Sequence, residues 1–274
     1  MTKEIQGTPV PALGLGTWGL WGVVCERAVA QALALGYRHI DTARAYDNEA
    51  EIGRALRRSG VDRASVFLTT KVWWDQLAPE ALRRSVETSL RLLQTDYVDL
   101  LLIHWPNPHV PLPRTLEAML RLQAEGKVRH LGVSNFSPAL LCEALRHAPI
   151  FCNQVEYHPY LRQEALLELA RRHDLLLTAY CPLARGLVRR DPVLQEIGRR
   201  YGKTAAQVAL RWLVQQDHVA AVPKAARLEH LRENLAIFDF SLTPDEMARI
   251  DRLARGLRLI DPPWAPDWNA PGDC

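Results

Sequence analysis

The stretch SVFLTTKVWWDQLAPEALRRSVETSLRLLQTDYVDLLLIHW, residues 65–105, decides the fold because it contains one complete strand, helix and strand. Its two ends, SVFLTTK (65–71) and YVDLLLIHW (97–105), are apolar and contain β-branched residues, as buried strands do. Between them, PEALRRSVETSLRLL (79–93) has apolar residues at helical spacing and begins at a proline. This stretch therefore predicts two parallel strands joined by a helix.

The same alternation continues in both directions along the chain, with a period of roughly 30 residues. Six further strands are predicted at PALGLGTW (11–18), YRHIDT (37–42), VRHLGVSN (128–135), FCNQVEYH (151–158), LLLTAYC (175–181) and VAAVPK (219–224). Helical patterns separate them, as at CERAVAQALALG (25–36), NEAEIGRALRRSG (48–60), SPALLCEALRH (137–147) and EALLELARRHD (164–174). Eight apolar strands separated by helices indicate an α/β fold, a single (β/α)8 TIM barrel. We predict one domain, residues 1–274, with a short N-terminal β-hairpin and a short C-terminal tail.

Composition and charge limit what the chain can be. Its 274 residues are 48% hydrophobic and include eight tryptophans, enough for a large core, and no low-complexity linker divides them. The net charge is only +3 and the basic residues are interspersed with acids, so we expect no nucleic-acid or membrane partner. MTKEIQGTP (1–9) lacks an apolar signal region, so we expect a cytoplasmic protein. We separately expect a monomer or weak dimer.

The cysteines and histidines indicate neither a disulfide framework nor a metal site. Cys25, Cys142, Cys152, Cys181 and Cys274 are odd in number, widely spaced and form no C-x-x-C pair. We therefore expect free thiols in a reducing compartment. The nine histidines show no zinc-ligand spacing, and no G-x-S-x-G motif is present. No metal is predicted, and acyl-transfer chemistry is disfavoured.

Polar residues follow the predicted strands at the point where each strand ends. They are Asp41, Lys71, His104, Ser134, Asn135, Gln154 and Tyr180. Because the carboxyl ends of barrel strands meet on one face, and active sites lie on that face, these side chains are expected to form a site.

Four ionisable residues at or near these strand ends form the most informative combination: Asp41, Tyr46, Lys71 and His104. A phenol has a pKa of about 10, so it donates a proton poorly unless a nearby positive charge favours the phenolate. Lys71 could supply that charge, and Asp41 could stabilise the buried ammonium. His104 could hydrogen-bond the oxygen of a carbonyl. The set predicts proton donation to a carbonyl that is being reduced.

A competing motif, GLGTWG (14–19), matches the G-x-G-x-x-G pattern of a dinucleotide-binding Rossmann loop, and Asp41 ends the next strand. However, Gly19 is followed by LWGVV rather than by the first turn of a helix, and the rings of Trp18 and Trp21 would crowd a pyrophosphate. The βα pattern also continues through the chain instead of reversing into a second half. The barrel is therefore favoured over the Rossmann fold.

Seven motifs, in order along the chain, resemble the aldo-keto reductases. They are GYRHIDTARAYDNE (36–49), TTKVW (69–73), LLIHWP (101–106), GVSNF (132–136), NQVEYHP (153–159), TAYCPL (178–183) and VPKAA (222–226). The likeness extends from about residue 9 to residue 255. The segment RLIDPPWAPDWN (258–269) resembles the short tails of bacterial members of the diketogluconate reductase and methylglyoxal reductase type.

This resemblance implies a barrel that uses NADPH to reduce methylglyoxal, diketones, keto sugars, aromatic aldehydes and similar small carbonyls. Tyr46 would be the proton donor, tuned by Lys71, which Asp41 would hold. His104 would orient the carbonyl. The residues implied to form the substrate pocket are Trp18, Tyr46, Trp73, His104 and Trp105, with Trp264 or Trp268 over its opening.

The resemblance also implies which residues bind the cofactor. Those near the nicotinamide and its ribose would be Thr17, Trp18, Asp41, Ser134, Asn135, Gln154 and Tyr180. Those near the pyrophosphate and the adenosine would be Leu183, Lys224, Ala225, Arg227, His230, Glu233 and Asn234. Ala225 and His230 depart from the usual hydroxyl residue and arginine, although Arg227 offers a substitute cation. NADPH is therefore expected, with NADH as a weaker alternative.

Two other functions fit parts of the same sequence. A strand-end lysine in a barrel could form a Schiff base with a substrate, which would make the protein an aldolase that uses Lys71. Pairing with Asp41 argues against this function, because a carboxylate raises the pKa that an aldolase must lower. The resemblance also allows a non-enzymatic regulatory barrel that binds the cofactor without turnover.

Overall fold

Strands and helices alternate along the computed structural model, which describes residues 1–272 and 274. The strands are β1 (Thr2–Ile5), β2 (Thr8–Pro11), β3 (Leu15–Gly16), β4 (His39–Asp41), β5 (Phe67–Val72), β6 (Val98–Ile103), β7 (Val128–Ser134), β8 (Ile150–Glu156), β9 (Leu176–Tyr180) and β10 (Val219–Ala221). The helices are α1 (Gly22–Ala34), α2 (Glu49–Arg58), α3 (Pro79–Leu93), α4 (Leu112–Ala124), α5 (Pro138–Leu145), α6 (Glu164–Arg172), α7 (Pro192–Tyr201), α8 (Ala205–Gln215), α9 (Leu228–Leu235) and α10 (Pro244–Asp251). All eight strands predicted from the apolar runs are present as β3 to β10.

These eight strands are parallel and lie in chain order in one sheet, which the two outermost strands close. Gly14 and Gly16 donate backbone hydrogen bonds to the carbonyls of Ala221 and Pro223, at 2.9 and 3.1 Å. A Cβ atom at Gly16 would lie 2.4 Å from the carbonyl oxygen of Val222. The backbone segments around Gly16 and Val222 approach each other so closely at this seam that glycine is required. This explains part of the G-x-G-x-x-G pattern without a dinucleotide loop.

Helix α1 begins at Gly22, three residues before the predicted start, so the GVV of LWGVV is its first turn and the expectation that no helix begins there is wrong. Other helix ends lie where the local sequence predicts. Pro79 and Pro138 occupy the first turns of α3 and α5, where the missing N–H costs nothing. Gly36 and Gly60, with φ of 99° and 68°, follow α1 and α2 and stop them in the left-handed region. Among residues 1–272 and 274, no helix is long and apolar enough to cross a membrane.

The N-terminal hairpin of β1 and β2 covers one end of the barrel. Ile5 and Val10 pack in the same buried cluster as the inward-facing Phe67, Leu100 and Phe151 of the barrel strands. This apolar plug fills the end of the barrel at which the strands begin. The opposite end, where the strands finish, is the one that carries polar side chains.

The chain beyond α10 forms an irregular tail that returns to α5, and it corrects one expectation. Cys142 of α5 and Cys274 form a disulfide, with Cα atoms 5.6 Å apart, so the prediction of five free thiols is wrong for these two. Ala139 donates a backbone hydrogen bond of 3.3 Å to Ala270 in the same region. Sequence spacing could not show this pair, because 132 residues separate the two cysteines and only the folded tail brings them together.

Candidate active site

The strand registers bring the candidate catalytic residues together at the open end of the barrel. Asp41 ends β4 and pairs with Thr69 of β5, so Lys71 of β5 lies just beyond it. His104 follows β6 and donates its backbone N–H to the carbonyl of Val72 at 3.0 Å. Tyr46 ends the short turn Arg44–Tyr46 that follows β4. Four residues spread over more than sixty positions of sequence thus face one another.

The Lys71 ammonium is fully buried and has three oxygen partners. Its Nζ atom lies 2.6 Å from Oδ1 of Asp41, 2.8 Å from the carbonyl oxygen of Thr42 and 3.4 Å from the hydroxyl of Tyr46. A buried ammonium is tolerated only when its charge and its donors are satisfied, and here both conditions are met. The ammonium thereby reaches the phenol directly.

Burial and the nearby charges shift the pKa values of Tyr46 and Lys71 in opposite directions. Burial raises the pKa of Tyr46 above its ordinary value, although Lys71 opposes the shift. Burial alone would lower the pKa of Lys71, but Asp41 and Tyr46 outweigh it and the pKa is raised. We expected from the sequence that the cation would dominate at the phenol, whereas desolvation is the larger effect. Tyr46 therefore holds its proton at neutral pH.

His104 completes the set as a neutral imidazole. Its ring lies edge-on to the rings of Tyr46 and Trp73, with centroids 5.5 and 4.9 Å apart. Burial, with a smaller contribution from Lys71, holds the pKa of His104 well below its ordinary value. The buried Nδ1 atom has no hydrogen-bond partner among the described residues. A neutral ring beside the phenol can donate one hydrogen bond to a substrate oxygen.

The residues predicted to bind the nicotinamide form a connected polar group beside this set. The Tyr180 hydroxyl donates to Oδ1 of Asn135 at 2.7 Å, and Nδ2 of Asn135 donates to the carbonyl of His104 at 2.9 Å. Ser134 donates its hydroxyl to the carbonyl of Gln154 at 2.9 Å. The side-chain amide of Gln154 donates to Oδ2 of Asp41 at 2.6 Å. This network ties the candidate cofactor residues to the candidate catalytic carboxylate.

A second group, which the sequence analysis did not single out, holds the neighbouring loops. Asn48 is buried and donates to the carbonyls of Thr17 and Leu20, at 3.0 and 2.9 Å, while its Oδ1 accepts from Thr42 at 2.7 Å. The Thr17 hydroxyl donates to the backbone carbonyl of Asp41 at 3.0 Å. Asn48 directly precedes α2, but its side chain makes no capping hydrogen bond to that helix. Its contacts instead fix the loops that carry Thr17 and Tyr46.

The predicted adenosine end lies across the rim and carries exposed cations. Lys224 and Arg227 are exposed, and neither forms an ion pair with another side chain of residues 1–272 and 274. Leu183 precedes a turn in which Arg185 and Gly186 have positive φ, at 51° and 93°. Buried Ala225 offers no hydroxyl. Exposed cations and the backbone N–H groups of such a turn are both features that suit phosphate groups.

His230, in contrast, is engaged within the protein. Its Nδ1 lies 3.3 Å from Oε2 of Glu233, whose other oxygen accepts the hydroxyl of Thr204 at 2.6 Å. Asn234 is buried one position further along α9. His230 thus already has a side-chain partner, which Lys224 and Arg227 lack within the described part of the chain.

Aromatic side chains wall the opening. Trp18 is 64% exposed on the loop after β3, whereas Trp105 is only 5% exposed because Trp268 of the tail packs against it with centroids 5.9 Å apart. Trp264 of the tail stacks on Trp74 at 6.3 Å. The tail therefore covers the side of the opening next to His104. The site as a whole can bind a small apolar carbonyl and protonate its oxygen.

The comparisons with known proteins agree with this geometry. Residues 12–255 match the model of the Aldo/keto reductase family. The chain is 40% identical over 257 residues to an aldo-keto reductase of Mycobacterium sp. (strain KMS), covering 93% of each chain. It is 38% identical over 266 residues to methylglyoxal reductase DkgB of Escherichia coli O157:H7, covering 95% of this chain and 99% of that protein.

A solved structure matches as well. A crystal structure provisionally named 2,5-diketo-D-gluconic acid reductase B superposes with a TM-score of 0.96 at 52% identity, covering 98% of this chain and 97% of that one. The fold and nearly the full length are shared. The chain therefore belongs to the aldo/keto reductase family.

Proposed function

We propose that this protein reduces small aldehydes and ketones with NADPH, with Tyr46 as the proton donor. The observation that carries the proposal is the contact of the buried Lys71 ammonium with both Asp41 and the Tyr46 hydroxyl, beside neutral His104. This arrangement supplies an acid, a fixed positive charge and a hydrogen-bond donor around the position that a substrate's carbonyl oxygen would occupy. A carbonyl oxygen that gains negative charge during reduction needs these three groups.

The side chains have separable roles in this proposal. When bound, the nicotinamide would supply the hydride that is added to the carbonyl carbon. His104 donates a hydrogen bond that orients the carbonyl oxygen, and Tyr46 delivers its proton to that oxygen. Lys71 stabilises the phenolate that remains, while Asp41 keeps Lys71 charged and in place. Because the site is desolvated, these fixed charges act more strongly than they would in water.

The choice of NADPH rests on the exposed cations at the rim. Aldo-keto reductases use NAD(P)H, and a 2′-phosphate requires fixed positive charge nearby. Lys224 and Arg227 carry such charge, and no side-chain carboxylate of residues 1–272 and 274 pairs with either of them. Ala225 offers the 2′-phosphate no hydroxyl, and His230, which is paired with Glu233, is a weaker cation than the usual arginine. NADH is therefore proposed as a weaker second cofactor.

The substrates are proposed from the pocket and from two relatives. Trp18 and Trp73 offer apolar walls, and the polar floor is formed by Tyr46 and His104. The relatives are named as reductases of methylglyoxal and of 2,5-diketo-D-gluconic acid. Methylglyoxal, diketones, keto sugars and nitrobenzaldehydes are therefore the proposed substrates, without a sharp preference.

A steady-state assay of NADPH oxidation over this panel tests the proposal. We expect turnover with several of the compounds and a lower kcat/KM when NADH replaces NADPH. If none of them were reduced with either cofactor, the reductase function would be wrong. The same outcome would favour a regulatory barrel if NADPH still bound.

An aldolase is disfavoured by the contacts of Lys71. A Schiff-base lysine needs a lowered pKa, whereas Asp41 and Tyr46 raise the pKa of this one. Borohydride treatment in the presence of an aldehyde substrate separates the two functions. We expect no covalent adduct at Lys71 by mass spectrometry.

A further inference from the structure

Asn48 is buried between two loops at the open end of the barrel. It is 0% exposed and directly precedes α2. The residue before it, Asp47, has a φ of 52°, so the chain turns sharply through the left-handed region between Tyr46 and Asn48. The candidate proton donor therefore stands on a short turn whose far side is held by this buried amide.

The acceptor side of the Asn48 amide holds one of the groups that bind Lys71. Its Oδ1 accepts the hydroxyl of Thr42 at 2.7 Å. The carbonyl oxygen of the same threonine accepts the Lys71 ammonium at 2.8 Å. A rotation of Thr42 would therefore move one of the three oxygen partners of the ammonium.

The donor side of the same amide acts on a second partner of the ammonium, Asp41. Nδ2 of Asn48 donates to the carbonyls of Thr17 and Leu20, at 3.0 and 2.9 Å. Thr17 in turn donates both its hydroxyl and its backbone N–H to the carbonyl of Asp41, each at 3.0 Å. Because backbone carbonyls can only accept hydrogen bonds, these partners also fix the orientation of the amide.

The contact between Lys71 and Tyr46 is the one most sensitive to a displacement. The ammonium lies 2.6 Å from Asp41 and 2.8 Å from the Thr42 carbonyl, but 3.4 Å from the Tyr46 hydroxyl. A hydrogen bond of that length is lost after a small further movement. The position of the ammonium against the phenol thus depends on the backbone of Asp41 and Thr42.

We infer that Asn48 is a positioning residue, which keeps the Lys71 ammonium against Tyr46 by holding the backbone of Asp41 and Thr42. Its effect on turnover rests on the proposed reductase function. Stabilisation of the phenolate by Lys71 is needed only as the proton leaves Tyr46. Loss of the amide should therefore lower kcat more than it raises KM.

Three variants of the whole protein test the inference. Asn48→Ala removes both sides of the amide, whereas Thr42→Val keeps the shape of the side chain and removes only the hydroxyl that Asn48 accepts. Thr69→Val is the matched control. Thr69 is equally buried and pairs with Asp41 in the sheet, but its hydroxyl has no hydrogen-bond partner among the described residues.

The expected result is a graded loss of turnover. The kcat for 4-nitrobenzaldehyde should fall by about tenfold or more in Asn48→Ala and by about three- to tenfold in Thr42→Val, since lost buried hydrogen bonds are worth such factors. In Thr42→Val, KM and the Kd of NADPH should change by less than about twofold, and Thr69→Val should match the wild type. An unchanged kcat in Asn48→Ala and Thr42→Val, or a change confined to the Kd of NADPH, would overturn the inference while leaving the reductase function intact.

The hold on Lys71 is also measurable without turnover. Lys71 and Lys3 are both buried, and Lys3 donates to the carbonyl of Gln216 at 2.7 Å, at the other end of the barrel. Acetylation followed by peptide mass spectrometry should modify Lys71 at least about fivefold faster in Asn48→Ala and Thr42→Val, because a displaced ammonium loses the partners that keep it protonated and shielded. The rate at Lys3 should not change.

This labelling separates the inference from the reductase function. If the wild type reduced no aldehyde but Lys71 alone became reactive in both variants, the reductase function would be wrong and the role of Asn48 in holding Lys71 would stand. Faster labelling at both lysines would mean that the substitutions only destabilise the whole protein. That result, or unchanged labelling at Lys71, would refute the inference.

Discussion

At the scale of single residues, the main consequence of burial is that the acid is kept protonated. A phenol that delivers its proton must hold it in the free enzyme, and burial raises the pKa of Tyr46 above its ordinary value near 10. In the proposed reaction, the ammonium of Lys71 would then stabilise the charge that appears only when the proton leaves. Desolvation and the ion pair thus serve two different stages of the same step.

The pH dependence of the reaction follows with a definite sign. Reduction requires protonated Tyr46, so kcat/KM for reduction should stay level through neutral pH and fall only above about pH 10. Oxidation of the alcohol requires the phenolate and should rise with pH over the same range. Steady-state rates in both directions from pH 6 to 11 check this. A reduction profile that falls near pH 7 would assign the proton to another group.

Discrimination between the cofactors is a second property of single residues. Lys224→Met should raise the Kd of NADPH by about tenfold to a hundredfold, because a charge-assisted contact with the 2′-phosphate is lost. NADH lacks that phosphate, so its Kd should change by less than about twofold. Fluorescence titrations measure both constants. Lys127→Met, which removes a lysine bound to Glu87 and Glu125 on α3 and after α4, is the control and should alter neither.

At the scale of elements, the tail depends on its two attachments to the body of the protein. Glu156 holds its beginning, and the disulfide of Cys142 with Cys274 holds its end. A bond that closes so long a loop typically stabilises a protein by about 2–4 kcal/mol. Reduction should therefore lower the free energy of unfolding in urea by about this amount, and Cys142→Ser should do the same without reductant.

Thiol counting provides the companion measurement for the tail. Cys25, Cys152 and Cys181 are free in the described part of the chain, so the unreduced, unfolded protein should show three reactive thiols and the reduced protein five. Cys181→Ser is the control, since it removes a free thiol and should leave the effect of the reductant on stability intact. Five thiols before reduction would mean that the tail is not cross-linked.

The elements also show what the sequence could and could not predict. The strands, the helix ends at Pro79 and Gly36, and the positions of Asp41 and Lys71 at strand ends all follow from local pattern. The disulfide does not, because it depends on where an irregular tail comes to lie.

The candidate site likewise has some features that the sequence predicts and others that it does not. Predicting that Asp41 and Lys71 pair required only the rule that parallel strands share an edge. The shift of the Tyr46 pKa depends on how completely the site excludes water, which residue types do not reveal. The contacts of Asn48 with the loop between β3 and α1 likewise involve the backbone carbonyls of Thr17 and Leu20, which carry no sequence signal.

At the scale of the whole molecule, the site exists because the sheet closes. Gly16→Ala places a Cβ 2.4 Å from the carbonyl of Val222 and should force the seam apart. We expect a loss of about 3 kcal/mol in the free energy of unfolding, as for overpacked cores, together with lower activity because Thr17 and Trp18 follow directly. Urea denaturation measures the loss. Gly60→Ala, at an exposed helix end with positive φ, should cost only about 1 kcal/mol.

The central claim is that Tyr46 gives the proton to a reduced carbonyl, and one substitution tests it most directly. Tyr46→Phe removes a single hydroxyl and keeps the ring that packs against His104. We predict that kcat for 4-nitrobenzaldehyde falls by about 10² to 10⁴ while the Kd of NADPH is unchanged, because general acid catalysis supplies a factor of that size. Turnover close to that of the wild type, with the same cofactor affinity, would contradict the account.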